Sequence, residues 1–528
     1  MFCDKENVNI LTAVMEEHNV DVVVICPGSR NAPLAHNFGE NLFFNIPVTD
    51  ERSAGYYALG LALATDDPVA VCVTSGSAML NLAPAIAEAA YRRVPLIVIS
   101  ADRPADRIGQ LEGQTIIQTD ALMPHTPPTF TVPEPTDEAT YNYCNRIANE
   151  AILAAKKKRP VHINVPISEP LYQFNTPDLK PQRIIEAHYD SKILSTEFGM
   201  LVERINEAKR PMILIGQHKH NMVLDRAIEM LVPQFVVLYE SLSCGQGGVN
   251  FDGILPECND DEYYPDFVLY AGGTFVSNRI KSFVRNAKDC EVWSIDPDGE
   301  VHDTFNKLTK VIRGNAPDIL FDVAQAIKPN ESAALYKMLW NLKLIAYHNQ
   351  VEDFCEEWVV KQFESEVKKS NPEELYVHYA NSMAVRYANK YARHYCYVNR
   401  GTNGIEGSLS TAAGFSLGLG MPTYCVIGDL SFFYDCNALW NRRINGNLRV
   451  LLLNNGGGRI FKSIPGANDS HMFDAYISAS HNATAEGICR SYDAEYRMAA
   501  NKEEFTEGLH WLIYANSKRP LVLECMFK

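Results

Sequence analysis

The sequence predicts an α/β chain of doubly wound parallel sheets arranged in three segments, and three observations carry that reading. Short β-branched apolar runs recur along the 528 residues, amphipathic stretches separate them, and the runs end in small or polar turns. Runs that stay apolar at consecutive positions belong to strands buried on both faces, as in a parallel sheet flanked by helices.

In the first segment the expected strands are Val22–Cys26, Phe43–Val48, Val69–Thr74, Leu96–Ser100 and Val161–Val165. Ser168 to Ser191, rich in Pro, Gln and Asp and without periodicity, reads as a linker. The second segment places strands at Met212–Ile215, Phe235–Leu238, Phe267–Tyr270 and Glu291–Ile295, followed by a mostly helical connector from Glu331 to about Phe363. A third α/β segment starts near Glu373. Pro68–Arg103 and Pro422–Phe461 share one strand–turn–helix–strand plan, so the outer segments read as related domains around a distinct middle one. The expected boundaries are 1–180, 192–330 and 345–528.

Composition narrows the function classes. With 46% hydrophobic and 21% charged residues the chain can bury several cores. A formal net charge of −16 leaves no broad cationic face for nucleic acid or anionic lipid. Thirteen cysteines without a C-x-x-C pair fit a reduced compartment better than a disulfide framework or a zinc site, and Cys72 and Cys425 read as core. No apolar run reaches the ~20 residues that span a bilayer, and the N-terminal stretch lacks a signal-peptide pattern. The expectation is a cytoplasmic enzyme that uses neither nucleic acid nor membrane. Because the whole chain is acidic, anionic substrates must be drawn by local arginines.

The sharpest local signal is Gly428-Asp429-Leu430-Ser431 closing one strand and Asn454-Asn455-Gly456-Gly457 closing the next. Asp429 and Asn455 stand 455 − 429 = 26 residues apart, one turn–helix–strand passage. Both then reach carboxyl ends of parallel strands, where ligands bind. The Asp429 carboxylate, the Asn455 amide oxygen and a carbonyl at Gly457 suit hard, octahedral Mg²⁺, which shares its shell with phosphate oxygens and water. Ser431 is placed to cap the following helix, whose N-terminus suits a diphosphate. Strand-terminal Asp and Asn-Gly turns also occur as plain structure. Neither a P-loop nor a G-x-G-x-x-G motif competes with this one.

This Gly-Asp…Asn-Asn arrangement resembles the metal and cofactor motif of thiamine-diphosphate enzymes. Leu430, where that family usually has glycine, points to one branch. The branch is that of the 2-succinyl-5-enolpyruvyl-6-hydroxy-3-cyclohexene-1-carboxylate synthases. Asn399-Arg400-Gly401, Leu409–Gly414, Tyr434–Leu439, Pro27-Gly28-Ser29-Arg30, Asp50–Gly55 and Ala101–Pro104 resemble the same branch, in order. The match is close in the outer segments and loose in the middle.

The resemblance implies three domains: pyrimidine-binding, central and diphosphate-binding. It implies thiamine diphosphate with Mg²⁺ or Mn²⁺, and 2-oxoglutarate and isochorismate as substrates. It further implies a homodimer or homotetramer with active sites between subunits. Glu51 matches the glutamate that hydrogen-bonds the pyrimidine and promotes loss of the thiazolium C2 proton. Ile405 matches the apolar wedge that bends the cofactor, and Gly428, Asp429, Leu430, Ser431, Asn455 and Gly457 line its diphosphate end. Arg30, Arg103, Gln114, Ser382, Arg386 and Arg400 match substrate-binding positions, and arginine pairs bidentately with carboxylates. Arg279 matches the second member of a basic pair whose first member here is Asn278. Gly113 stands where the family has Asn before the substrate-binding Gln. Ile460, Phe461 and Ile464 are expected to form an apolar wall over the reacting centre. Arg52, Arg92, Arg93, His218 and His220 read as surface residues.

Two other readings remain at this point. One is an acetolactate-type carboligase or 2-oxoacid decarboxylase, which takes small monocarboxylates and needs fewer cations. The other is a catalytically silent, nucleotide-binding relative, which need not keep Glu51, Asp429 and Asn455 together.

Overall fold

The computed structural model describes residues 1–41, 43–187, 193–346, 351–371, 374–464 and 466–527. The end of the expected linker (188–191), the start of the middle segment at 192, part of the helical connector (347–350) and the expected start at Glu373 lie outside the described residues.

The strands are β1 (Val22–Ile25), β2 (Phe44–Pro47), β3 (Val69–Val73), β4 (Leu96–Asp102), β5 (Phe130–Thr131) and β6 (Val161–Pro166), then β7 (Pro211–Ile215), β8 (Val236–Tyr239), β9 (Phe267–Ala271), β10 (Glu291–Asp296) and β11 (Leu308–Arg313), then β12 (Tyr376–Tyr379), β13 (Cys396–Tyr397), β14 (Thr423–Gly428), β15 (Leu448–Asn454), β16 (Glu495–Ala499) and β17 (Leu521–Met526). They form three parallel sheets, the predicted class.

By compactness the chain divides into two units, Met1–Tyr189 with Asn399–Lys528, and Asp190–Val398. The first unit holds the sheet β2-β1-β3-β4-β6-β5 and the neighbours β14-β15-β17-β16. β3 and β4 are buried at every residue, as the apolar runs Val69–Val73 and Leu96–Ile99 require. Cys72 and Cys425 are fully buried core residues, as expected. The second unit holds β11-β10-β9-β7-β8 and the parallel pair β12–β13.

Helices Glu51–Thr65 and Ser408–Leu419 pack together in the first unit. A Cβ on Gly60 would stand 2.0 Å from the Thr411 carbonyl oxygen, and one on Gly414 2.2 Å from that of Tyr57. Two glycines let the backbones approach where any side chain would hold them apart. This crossing ties the first and third sequence segments within one chain. It also leaves Tyr57 Oη donating to the Ala438 carbonyl at 2.6 Å.

Three local expectations are corrected. Ser431 does not cap a helix: helix Asp429–Tyr434 begins one residue after β14, its N-cap is Gly428, and Ser431 lies buried inside it. Arg52 and Arg92 are not free surface charges. Arg52 donates to the Tyr434 carbonyl at 2.6 Å and its guanidinium lies 4.5 Å from the Tyr434 ring centre. Arg92 has a nearly buried side chain and donates to Asn399 Oδ1 at 3.3 Å. His220 is exposed and pairs with Asp225 at 3.0 Å, whereas His218 is half-buried against the Lys219 carbonyl.

Candidate active site

β14 and β15 run in register, Gly428 beside Leu453, so Asp429 and Asn455 leave adjacent strands at the same carboxyl edge. Asp429 is 2% exposed. Its Oδ1 accepts the Leu430 amide at 2.7 Å, and its Oδ2 accepts the amides of Asn455, Gly456 and Gly457 at 3.0, 2.8 and 3.0 Å. One carboxylate thus organises the whole Asn-Gly-Gly turn.

The turn needs its glycines. Gly456 has φ +78°, Gly457 has φ +149°, and a Cβ on Gly457 would lie 2.8 Å from the Ser478 carbonyl. Behind it, Asn454 Nδ2 donates to buried Glu524 at 2.7 Å, and Glu524 also accepts the Ala485 amide and the Tyr496 hydroxyl.

This donor set fits the implied cation. It offers a carboxylate, an amide oxygen and a glycine carbonyl at one strand edge, all hard oxygen donors. Among the described residues no group of three His, Cys, Asp or Glu could hold a metal ion. Amides gathered on a single anionic oxygen also mark the turn as an anion-accepting backbone.

Glu51 opens helix Glu51–Thr65, capped by Asp50, whose side chain accepts the Ser53 amide at 3.1 Å. Burial raises the Glu51 pKa, with Asp50 adding to the effect and a backbone hydrogen bond opposing it. A carboxyl that holds its proton more readily than usual suits a hydrogen bond to a ring nitrogen. Its two neighbours touch the end of the Asp429 helix and the stretch after it: Arg52 reaches Tyr434, the last helical residue, and Asn437 Nδ2 donates to Asp50 Oδ2 at 2.7 Å. Ile405 is 40% exposed on a loop whose Glu406 accepts from Tyr56 Oη at 3.3 Å.

Arg30, after β1, and Arg103, after β4, converge at the carboxyl edge of the first sheet. Arg30 is buried and donates to the Ile167 carbonyl at 3.0 Å and to Glu169 at 3.1 Å. Arg103 Nη1 lies 4.0 Å from the same Glu169 oxygen, and its Nε donates to the Gly113 carbonyl. Gln114 is exposed at φ +56°. Arg400 is buried, on a loop whose next two amides, Gly401 and Thr402, donate to buried Glu88 at 2.9 and 2.7 Å.

Ser382, Arg386, Asn278 and Arg279 belong to the second unit. Arg386 Nη1 donates to the Ser382 carbonyl at 2.5 Å, Ser382 itself having φ +74°. Burial lowers the Arg386 pKa, while nearby Asp252 and Glu240 oppose that effect. Arg279 pairs with Asp252 at 2.9 Å, and Asn278 is exposed beside it at the start of helix Asn278–Asn286. Phe461 and Ile464 are 36% and 50% exposed and Ile460 is half-buried, so within one chain they do not close a wall.

Four residues had no signal in the sequence: Glu88, Glu169, Asp252 and His481. His481 stands with Nε2 3.5 Å from Asp429 Oδ2, although no histidine falls in the motifs.

Residues 6–122 match the thiamine pyrophosphate enzyme N-terminal TPP-binding domain, and residues 377–525 match its C-terminal TPP-binding domain. The 2-succinyl-5-enolpyruvyl-6-hydroxy-3-cyclohexene-1-carboxylate synthase of Bacteroides thetaiotaomicron is 39% identical over 99% of this chain and 96% of its own. The same-named enzyme of Bacteroides fragilis (strain ATCC 25285) is 40% identical over 96% and 93%. Benzoylformate decarboxylase from Polynucleobacter necessarius superposes with a TM-score of 0.74 over 100% of this chain and 99% of its own; at 13% identity that likeness speaks to the fold alone. The chain belongs to the thiamine-pyrophosphate enzymes, in the family of 2-succinyl-5-enolpyruvyl-6-hydroxy-3-cyclohexene-1-carboxylate synthases.

Proposed function

We propose that the chain decarboxylates 2-oxoglutarate and adds the remaining succinyl-semialdehyde unit 1,4 to isochorismate. The products are 2-succinyl-5-enolpyruvyl-6-hydroxy-3-cyclohexene-1-carboxylate and CO₂, in menaquinone biosynthesis. The observation that carries this reading is the Asp429 carboxylate on the 455–457 turn, in a chain about 40% identical to enzymes of that name.

Asp429, Asn455 and the Gly457 carbonyl would hold Mg²⁺ or Mn²⁺, with Gly428, Leu430 and Ser431 beside the diphosphate. When bound, thiamine diphosphate supplies the carbanion chemistry at its thiazolium C2. Glu51 would orient the pyrimidine and hold a proton at its ring nitrogen, and Ile405 would pack against the cofactor as its apolar support. Arg386 and Arg400, with Ser382, hold the carboxylates of 2-oxoglutarate. Arg30, Arg103 and Gln114, with Asn278 and Arg279, receive isochorismate. Ile460, Phe461 and Ile464 exclude water from the reacting centre. The protein supplies alignment and charge neutralisation.

The working form is a homodimer or homotetramer with sites between subunits, located in the cytoplasm; among the described residues no helix is long and apolar enough to cross a membrane. The three domains extend over about 1–180, 192–330 and 345–528. An acetolactate-type reading is not favoured, because small monocarboxylates leave this many arginines without partners. Incubation with 2-oxoglutarate, isochorismate, thiamine diphosphate and Mg²⁺ should release CO₂ and form the adduct. Turnover of pyruvate with no reaction of 2-oxoglutarate would overturn the proposal.

A further inference from the structure

His481 sits in a segment stitched to the cofactor turn, outside every motif that identified the site. Its backbone amide donates to the Gly456 carbonyl at 3.0 Å, and Gly458 donates to the Ser478 carbonyl at 2.6 Å. Glu524 holds the following residue run through the Ala485 amide. The ring itself is fixed on two sides. Phe433 meets it edge-on with centroids 5.3 Å apart, and the Ala483 amide donates to Nδ1 at 3.1 Å. A nitrogen that accepts carries no hydrogen, so this network assigns the proton to Nε2.

That Nε2–H is shielded from solvent. Among the described residues it makes no hydrogen bond, and Asp429 Oδ2 stands 3.5 Å away. A buried donor is as a rule satisfied, so a fixed N–H half an ångström short of a carboxylate marks a contact completed in another state of the site. Asp429 Oδ2 already accepts three amides, and a cation at this carboxylate must redistribute those bonds. Donors behind a ligating carboxylate orient it and tune metal affinity.

We propose that His481 is a positioning residue for the metal site, donating from Nε2 to Asp429 when Mg²⁺ and thiamine diphosphate are bound. The inference rests on the reading of Asp429 as a metal ligand. Its effect passes through Asp429, so it shows in cofactor affinity.

The test is the Mg²⁺ dependence of thiamine diphosphate binding, followed by calorimetry on the full chain. H481F keeps the ring contact with Phe433 and removes the donor, together with the Nδ1 acceptor of the exposed Ala483 amide. It should weaken Mg²⁺ binding about tenfold, the lower end for loss of such a donor, and lower the denaturation midpoint of the cofactor-free protein only slightly, because water can satisfy that amide. H481Q restores an N–H at the Nε2 position and should bind within about threefold of the parent. If H481F does not fold, H481N takes its place, because its shorter amide cannot reach Asp429. Parent-like binding by the donor-less variant overturns the proposal, as does equal weakening of H481Q. If the parent chain itself binds no Mg²⁺ and thiamine diphosphate, the reading of the site fails first, and that outcome is visible before any variant is compared.

Discussion

Buried Glu88 accepts the amide of Gly401 at 2.9 Å, from a helix 313 residues away in the sequence. Together with the Thr402 amide and hydroxyl, at 2.7 and 3.0 Å, this bond fixes the loop that carries Arg400. A guanidinium proposed to hold substrate is useful only if its backbone is held, and here a carboxylate of the first segment holds a loop of the third.

Glu88→Gln should therefore disturb both stability and substrate binding. Replacing one carboxylate oxygen by an amide nitrogen turns the acceptor facing one of the two backbone amides, Gly401 or Thr402, into a competing donor. Hydrogen bonds to charged groups are worth about 1.5–3 kcal/mol each. A loss of about 2 kcal/mol, read from the denaturant midpoint, should accompany a raised KM for 2-oxoglutarate. Parent-like values for both would remove Glu88 from this role.

Glu51→Gln separates chemistry from binding. The side chain keeps its size and its place at the helix start, but cannot share a proton as a carboxyl does. Turnover should fall by at least about 100-fold, the low end for a proton-transferring group, while thiamine diphosphate still binds calorimetrically. Retained turnover would show that Glu51 is not the activating group.

Glu169 places a carboxylate where a substrate carboxylate is expected. Arg30 and Arg103 both face it, with side chains 6% and 19% exposed against 72% for Glu169. The arginines are fixed and the glutamate can leave. An exposed ion pair contributes roughly 0.2–1 kcal/mol, so Glu169→Gln should lower KM for isochorismate by no more than about fivefold, with kcat little changed. A rise in KM would mean that Glu169 positions the arginines instead of competing at them.

The parts of this architecture that are legible in the sequence are those in which one chain segment states its own environment. Val69–Val73 is apolar at every position because both its faces are covered, and the 26-residue spacing of Asp429 and Asn455 follows from one βαβ passage. Glu88 lies in an alanine-rich helix that carries no local signal of its role; only the distant Gly401 amide explains its burial. Arg52 and Arg92 read as surface charges for the same reason, since Tyr434 and Asn399 are remote in sequence. His481 follows no periodicity at all, and it is placed by the Gly456 carbonyl and the Ala483 amide.

Asp435 gives the first unit a pH signature. It is fully buried, and its two oxygens accept the amide and the hydroxyl of Ser410, each at 2.7 Å. Burial outweighs these bonds and pushes its pKa up to about 7. An acid whose pKa is higher folded than unfolded, where it lies near ~4, contributes stability that is complete below the unfolded value and is lost as pH rises through the folded one. The amide introduced by Asp435→Asn does not titrate. The stability of the parent relative to this variant should thus be greatest at or below about pH 4, shrink as pH rises toward about 7, and change little beyond that. Denaturant midpoints of both proteins at several pH values measure this, and a constant difference would contradict it.

The closest backbone approach in the first unit predicts a reversal of sign. An alanine in place of glycine inside a helix ordinarily stabilises by about 0.5–1 kcal/mol. Gly199, inside helix Ser195–Glu207 with open space around its would-be Cβ, should behave that way. At Gly60 the same methyl group would stand 2.0 Å from the Thr411 carbonyl oxygen and 2.7 Å from the Phe415 nitrogen, both backbone atoms of the facing helix. No rotamer relieves such a contact, so the helices must separate, and overpacking of this kind costs about 1–3 kcal/mol or more. Gly60→Ala should lower the denaturation midpoint while Gly199→Ala raises it. The separation would also shift the helix that begins at Glu51 against Tyr434 and Asn437, so Gly60→Ala should lose activity out of proportion to its lost stability under conditions where it remains folded. A Gly60→Ala protein as stable and active as the Gly199→Ala one would mean that these helices do not meet at their glycines.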